Sequence, residues 1–199
     1  MVRIVDESRK YFRFIFYGKL YQFTSLSFGF WHSPLIFTKI IKPVISYLRS
    51  TGYRSNVYLD DFLLYGNSYE DCIRHQINTI ELLLRLGFII NYEKSNLIPS
   101  TRCKYLGFII DSHNFTIELT EKRKQNILKK LKSFKPNKSY KIREYSQLQG
   151  LLVSAFPGVE YSMMYTKNFE MDKTKALYKN KNNYESKMII SKNTIDYLK

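Results

Sequence analysis

Two carboxylates stand side by side at Asp60 and Asp61, within Val57-Tyr58-Leu59-Asp60-Asp61-Phe62-Leu63-Leu64-Tyr65-Gly66. Apolar runs of β-forming residues flank them on both sides, the pattern of a tight hairpin with the acids at its turn. Like charges a few ångströms apart cannot both ionise cheaply unless something offsets their repulsion. A divalent cation does so. Two Mg²⁺ ions about 3.5–4 Å apart, held by carboxylates, stabilise the attacking and leaving oxygens of phosphoryl transfer. Magnesium takes oxygen ligands and keeps several waters, so few carboxylates suffice. The bland alternative is an exposed Asp-Asp turn, a common chance event. The apolar flanks weigh against it.

Charge points toward a partner. The 199 residues carry a formal net charge of +15. Residues 1–119 hold 14 Lys and Arg against 10 Asp and Glu, whereas residues 120–199 hold 18 against 7. A basic half beside a nearly neutral half suits contact with a polyanion, most often nucleic acid. A solvated basic surface, or a genome whose codons favour Lys, Asn, Ile and Tyr, would give the same count. Apolar residues make up 44% of the chain, as in a globular protein. No apolar run reaches the roughly 18 residues needed to cross a bilayer. Residues 1–10 contain no apolar signal core, so an intracellular, non-secreted protein is expected. Cys72 and Cys103 give neither a metal spacing nor a disulfide framework. Asn114-Phe115-Thr116 and Asn137-Lys138-Ser139 match a glycosylation pattern that carries no weight without a signal peptide.

The elements that must position these residues alternate between short strands and helices. Tyr11 to Phe16 and Leu20 to Thr24 read as an aromatic-rich hairpin around Tyr17-Gly18-Lys19. Ser33-Pro34 opens a helix, with Ser33 as its expected N-cap, that continues to Leu48 and ends at Gly52. Pro43 lies inside it and should kink it. The spacing predicts a second helix over Tyr69 to Leu86, with Ser68 and Asp71 in capping-box register and Gly87 past its end. Strand-like pieces follow at Phe88 to Asn91, Cys103 to Ile110 and Phe115 to Leu119. Thr120 caps a basic helix with Ile127, Leu128, Leu131 and Phe134 on one face. Another helix spans Lys141 to Ala155. Beyond Pro157 the pattern fades into a Lys/Asn-rich segment expected to be partly disordered.

With the order in place, a family resemblance emerges. Tyr58-Leu59-Asp60-Asp61 resembles the Tyr-x-Asp-Asp box of reverse transcriptases. Leu26-Ser27-Phe28-Gly29 with Ser33-Pro34 and Phe37 is similar to the family's Leu-Pro-Phe-Gly segment and the opening of its long palm helix. Leu86-Gly87-Phe88 with Asn91 and Lys94 resembles its lysine-bearing motif, and Tyr105-Leu106-Gly107-Phe108 its primer-grip hairpin. The resemblance covers residues 1–165 and is nearest to retrotransposon enzymes of the DIRS type, with gypsy-like relatives. It implies an α+β fold: an antiparallel palm sheet backed by helices over residues 1–118, a helical thumb over 119–165, and a connection-like tail over 166–199.

The resemblance also implies roles. Asp60 and Asp61 would ligate Mg²⁺, and Lys94 would protonate the departing pyrophosphate or hold the triphosphate. Gly29, with Phe28 and Tyr58, would lie against the template and the incoming nucleotide. Tyr105, Leu106 and Gly107 would hold the primer end. Lys122, Arg123, Lys124, Lys129, Lys130 and Lys132 would face duplex phosphates. His32, His75 and His113 are scattered and read as structural or exposed. The expected partners are an RNA or DNA template with its primer and a dNTP, with no membrane. Oligomeric state is left open. The family's first metal aspartate falls about ten residues ahead of Arg9-Lys10-Tyr11, so the two-metal site is expected to be incomplete here and the chain alone inactive. Ser27 replaces the family's proline, and Phe30-Trp31-His32 is bulkier than its usual small residues. Ile190-Ser191 through Leu198 resembles the approach to an RNase H domain.

Overall fold

A computed structural model describes residues 2–135, 138–191 and 193–194. It is an α+β chain whose strands pair antiparallel throughout, divided into two compact units at Ser100/Thr101. Residues 1, 136–137, 192 and 195–199 lie outside the description. They include Pro136 and Asn137 and most of the segment read as an RNase H approach.

The first unit opens with a 3-10 turn over Asp6–Phe12 and the hairpin β1 (Arg13–Phe16) and β2 (Lys19–Gln22). Tyr17 and Gly18 both take positive φ at its two-residue turn, whose twist matches that of the strands. Helix α1 (Ser33–Ser50) begins one residue earlier than the N-cap expectation requires. His32 occupies the cap, and the Ser33 hydroxyl instead donates to the Ser27 carbonyl at 2.8 Å. Pro34 stands in the first turn, where its missing N–H costs nothing, and the helix runs on through Pro43. It ends as glycine punctuation predicts: Gly52 N–H donates to Arg49 and Tyr53 N–H to Leu48, closing a Schellman motif. Hairpin β3 (Arg54–Tyr58) and β4 (Asp61–Tyr65) follows, then α2 (Tyr69–Arg85). The Ser68 hydroxyl accepts from Asp71 N–H at 3.1 Å, as its spacing predicts. The strand expected at Phe88 to Asn91 does not form. Phe88 turns edge-on to Phe37 of α1, while Ile89 is exposed and no partner strand lies alongside.

The second unit starts with a three-stranded meander, β5 (Arg102–Tyr105), β6 (Phe108–Asp111) and β7 (Thr116–Leu119). Helix α3 (Glu121–Lys132) buries Ile127, with Phe134 just beyond it, but leaves Leu128 half exposed. A short strand β8 (Ser139–Lys141) leads into α4 (Ile142–Val153). The tail then departs from its sequence reading. Ser162–Lys179 forms an 18-residue helix, α5, and β9 (Lys187–Ile189) returns to pair with β8. Ile142, Tyr145 and Leu148 of α4 pack with Phe134, Phe169 of α5, and Met188 and Ile190 around β9. None of the described helices is long and apolar enough to cross a membrane.

Candidate active site

The acidic pair sits where hairpin geometry is most demanding. Tyr58 pairs with Asp61 at the end of the ladder, which leaves Leu59 and Asp60 as a two-residue turn. Leu59, the first of the two, takes φ +53°, and Asp60 does not take positive φ. A left-handed conformation costs a leucine about 1–2 kcal/mol, and such cost persists only where the surrounding structure imposes it. Here the register imposes it. Ser55 and Val57, opposite Leu64 and Phe62, turn inward, whereas Tyr58 and Asp61 lie on the other face and are exposed.

Two helices fix the base of this hairpin. From α1, Arg49 Nη2 donates to the Ser55 carbonyl at 2.9 Å. From α2, Nδ1 of the buried His75 lies 3.0 Å from the Tyr65 carbonyl, and its ring packs on Tyr53 at 5.0 Å. The carbonyl can only accept, so Nδ1 carries the proton. Gly66 completes the fit: a Cβ there would meet Asp71 Cβ at 2.7 Å and the Cys72 backbone nitrogen at 2.8 Å. His75, read from sequence as structural or exposed, is therefore a support of the acidic turn.

Asp60 and Asp61 offer hard oxygen donors at an exposed tip, which suits a Mg²⁺ ion that completes its shell with water and phosphate oxygens. Among the described residues, no group of three His, Cys, Asp or Glu side chains converges as a metal-binding cluster. Phe28 and Gly29 form part of the loop before α1. Phe28 is fully exposed, and Gly29 has φ +89°, a conformation that excludes most side chains. Lys94 is exposed in the turn after α2, where its N–H donates to Asn91 Oδ1 at 3.3 Å.

The remaining candidates belong to the second unit. Leu106 and Gly107 form the turn between β5 and β6, with Tyr105 and Phe108 paired at its base. Arg123 lies over that turn. Its Nη1 donates to the Leu106 carbonyl at 3.0 Å, Nη2 donates to the Ser154 carbonyl at 2.6 Å, and the guanidinium stacks 4.3 Å from the Phe108 ring. Grouping Arg123 with the phosphate-facing lysines is therefore corrected: its donors tie the hairpin to α3 and the end of α4. Lys122, Lys124, Lys129 and Lys132 are exposed, and Lys130 reaches back over Phe134. At 100° per residue, Lys122, Lys129 and Lys132 fall on the side of α3 opposite buried Ile127.

Comparison with known proteins gives this arrangement a family. Residues 1–110 match the family described as reverse transcriptase (RNA-dependent DNA polymerase). The chain is 25% identical over 109 residues to the retrovirus-related Pol polyprotein from transposon gypsy of Drosophila melanogaster, covering 55% of this chain and 10% of that protein. It is 25% identical over 155 residues to the putative enzymatic polyprotein of cassava vein mosaic virus, 76% of this chain and 21% of that one. Protein P of duck hepatitis B virus is 32% identical over 119 residues, 57% of this chain and 15% of that protein. The chain thus spans a minor part of each relative. Among solved structures, the foamy viral protease-reverse transcriptase in complex with double-stranded DNA superposes with a TM-score of 0.73 at 21% identity, over 98% of this chain and 31% of that one. The same viral enzyme in complex with an RNA/DNA hybrid gives 0.70 at 23% identity, over 98% and 24%. With the matched segment covering more than half of its length and containing the acidic hairpin, the chain belongs to the reverse transcriptase (RNA-dependent DNA polymerase) family, as a retrotransposon-type member.

Proposed function

We propose that the chain is part of an RNA-directed DNA polymerase that transfers nucleotides to a primer 3′ end. The observation that carries this reading is the Asp60-Asp61 pair on a strained turn held from both α1 and α2 within the family-matched segment. Residues 1–118 act as palm, 119–165 as thumb and 166–199 as a connection. Asp60 holds Mg²⁺ and Asp61 assists. The bound metal supplies charge stabilisation for the attacking and leaving oxygens. Tyr58 packs against the duplex beside the turn, and Phe28 and Gly29 border the template–nucleotide pair. Lys94 meets the triphosphate or protonates pyrophosphate. Tyr105, Leu106 and Gly107 hold the primer end, and the exposed lysines of α3 meet duplex phosphates. The partners are an RNA or DNA template with its primer, and a dNTP, met in the cytoplasm or nucleus.

A second reading, an inactive nucleic-acid-binding relic, is favoured by one observation: no third carboxylate joins the pair among the described residues. Primer extension separates the two. The 199 residues by themselves should give none, because a one-sided clamp leaves the 3′-hydroxyl misplaced, at a cost of several powers of ten in rate. Joined behind the fingers and first-aspartate segment of a gypsy-type relative, they should extend a primer, and Asp60→Asn should abolish that extension. A folded but inert fusion would establish the relic.

A further inference from the structure

From Ser8 to Leu59 the chain contains no Asp or Glu at all, but eight Lys and Arg. The hairpin β1–β2 lies in this acid-free stretch, and every residue of both strands is exposed. Strand pairing sets Phe14 opposite Tyr21 and Phe16 opposite Lys19, so these four side chains share one face. Their rings form a continuous ladder. Phe23 lies 5.0 Å from Phe14, Phe14 lies 5.7 Å from Tyr21 and nearly parallel to it, and Tyr21 lies 6.4 Å from Phe16. Tyr17, 90% exposed, extends the ladder at the turn.

A row of exposed aromatic rings on a monomeric surface is costly unless it has an occupant. An apolar peptide would leave Lys19 buried and unpaired, which is unfavourable. A ligand that alternates π-faces with negative charge satisfies both the rings and the cations, and single-stranded nucleic acid is such a ligand. We propose that the β1–β2 hairpin is a stacking platform for single-stranded nucleic acid, with unpaired bases on Phe14, Phe16 and Tyr21 and the backbone drawn by Lys19. The platform shares the nucleic-acid class of partner with the function proposed above. It uses none of the residues named there.

The test is binding of the 199-residue protein to three labelled probes: an oligothymidylate of about 16 nucleotides, the upper end of such site sizes, an abasic strand of equal length, and a blunt duplex. The parent should bind oligothymidylate at least tenfold more tightly than the abasic strand, which has the phosphates but no bases. The variant F14L/F16L/Y21L keeps the apolar bulk and removes the π-faces. It should lose about tenfold for each ring used on oligothymidylate while duplex affinity stays unchanged. A Phe16→Tyr variant should bind as the parent does. Equal parental affinity for the abasic strand and oligothymidylate overturns the proposal even if the triple variant fails to fold. So does unchanged oligothymidylate binding by a folded triple variant. A parental dimer in sedimentation that the triple variant dissolves would assign the face to a second copy of the chain and overturn it too. If duplex binding is absent but ring-dependent oligothymidylate binding persists, the thumb assignment fails and this one stands.

Discussion

Nδ1 of His75 lies 3.0 Å from the carbonyl oxygen of Tyr65, so α2 grips the outgoing strand of the acidic hairpin by its backbone. His75→Ala would leave that half-buried carbonyl without its donor and open a void beside Tyr53. The expected loss is about 1–3 kcal/mol in urea unfolding. Gly66→Ala acts on the same seam, driving a methyl group into Asp71 and Cys72, and should cost about 1–3 kcal/mol. Unchanged midpoints for both variants would mean that the hairpin is not held by α2.

Removing one charge from the acidic turn should stabilise the metal-free protein. In a chelator, Asp60→Asn should melt about 2 °C higher than the parent, the shift that roughly 0.5–1 kcal/mol produces in a chain of this size. Mg²⁺ should raise the melting point of the parent and leave that of the variant alone. A lower melting point in chelator would show that Asp60 stabilises the turn through local hydrogen bonds.

The basic residues of α3 should separate into two kinds. Lys122→Ala/Lys129→Ala/Lys132→Ala should keep the stability within about 0.5 kcal/mol per site. It should flatten the log–log salt dependence of duplex affinity by up to about three units. Arg123→Ala should do the reverse, destabilising by about 1–3 kcal/mol through the Leu106 and Ser154 carbonyls it leaves without a donor. Filter binding across a salt series, with urea unfolding alongside, reads both effects.

That division also marks what the sequence could convey. Nothing in Glu121–Lys132 tells Arg123 from its lysine neighbours, because its partners Leu106 and Ser154 are distant in the chain. Local signals were readable: Ser68 over Asp71 and the glycines ending α1 and α2 each depend on residues a few positions apart, and so does the acidic hairpin, although its turn is Leu59-Asp60 rather than the expected Asp60-Asp61. Helix α5 was not. Its buried stripe is Ser162, Thr166 and Phe169, so two of three inward positions are polar and no apolar period shows. Strands β8 and β9 each bury a single side chain, Tyr140 and Met188, too little for alternation to register. At Phe88 to Asn91 the composition is that of a strand, yet no described strand pairs with it.

Acid should loosen the second unit only once the pH falls into the ordinary carboxylate range and below it. Hydrogen bonds from Arg143 and Lys141 hold the Glu185 carboxyl below its usual value. The Asn114 backbone N–H, with its side chain and His113 N–H, does the same for Asp111. A depressed folded-state value stabilises the protein above the unfolded-state value, and that contribution disappears as pH falls through the folded one. Stability should therefore decline below about pH 4. Glu185→Gln should show a shallower decline with acid than the parent, measured by thermal unfolding from neutral pH downward. An identical acid profile would mean that the Glu185 pairs contribute nothing to folding.

The return of β9 to β8 has a consequence for how the protein is made. A ribosome delivers the chain from the amino end, so residues of the first unit emerge before those of the second. The second unit must wait. Its core includes Met188 and Ile190, and the N–H groups of Ile142 and Arg143 at the start of α4 donate to the carbonyls of Ser186 and Tyr184. Helices α3 and α4 therefore leave the exit tunnel with an unfinished apolar face. They remain open to aggregation or chaperone capture until the strand that closes them has been synthesised.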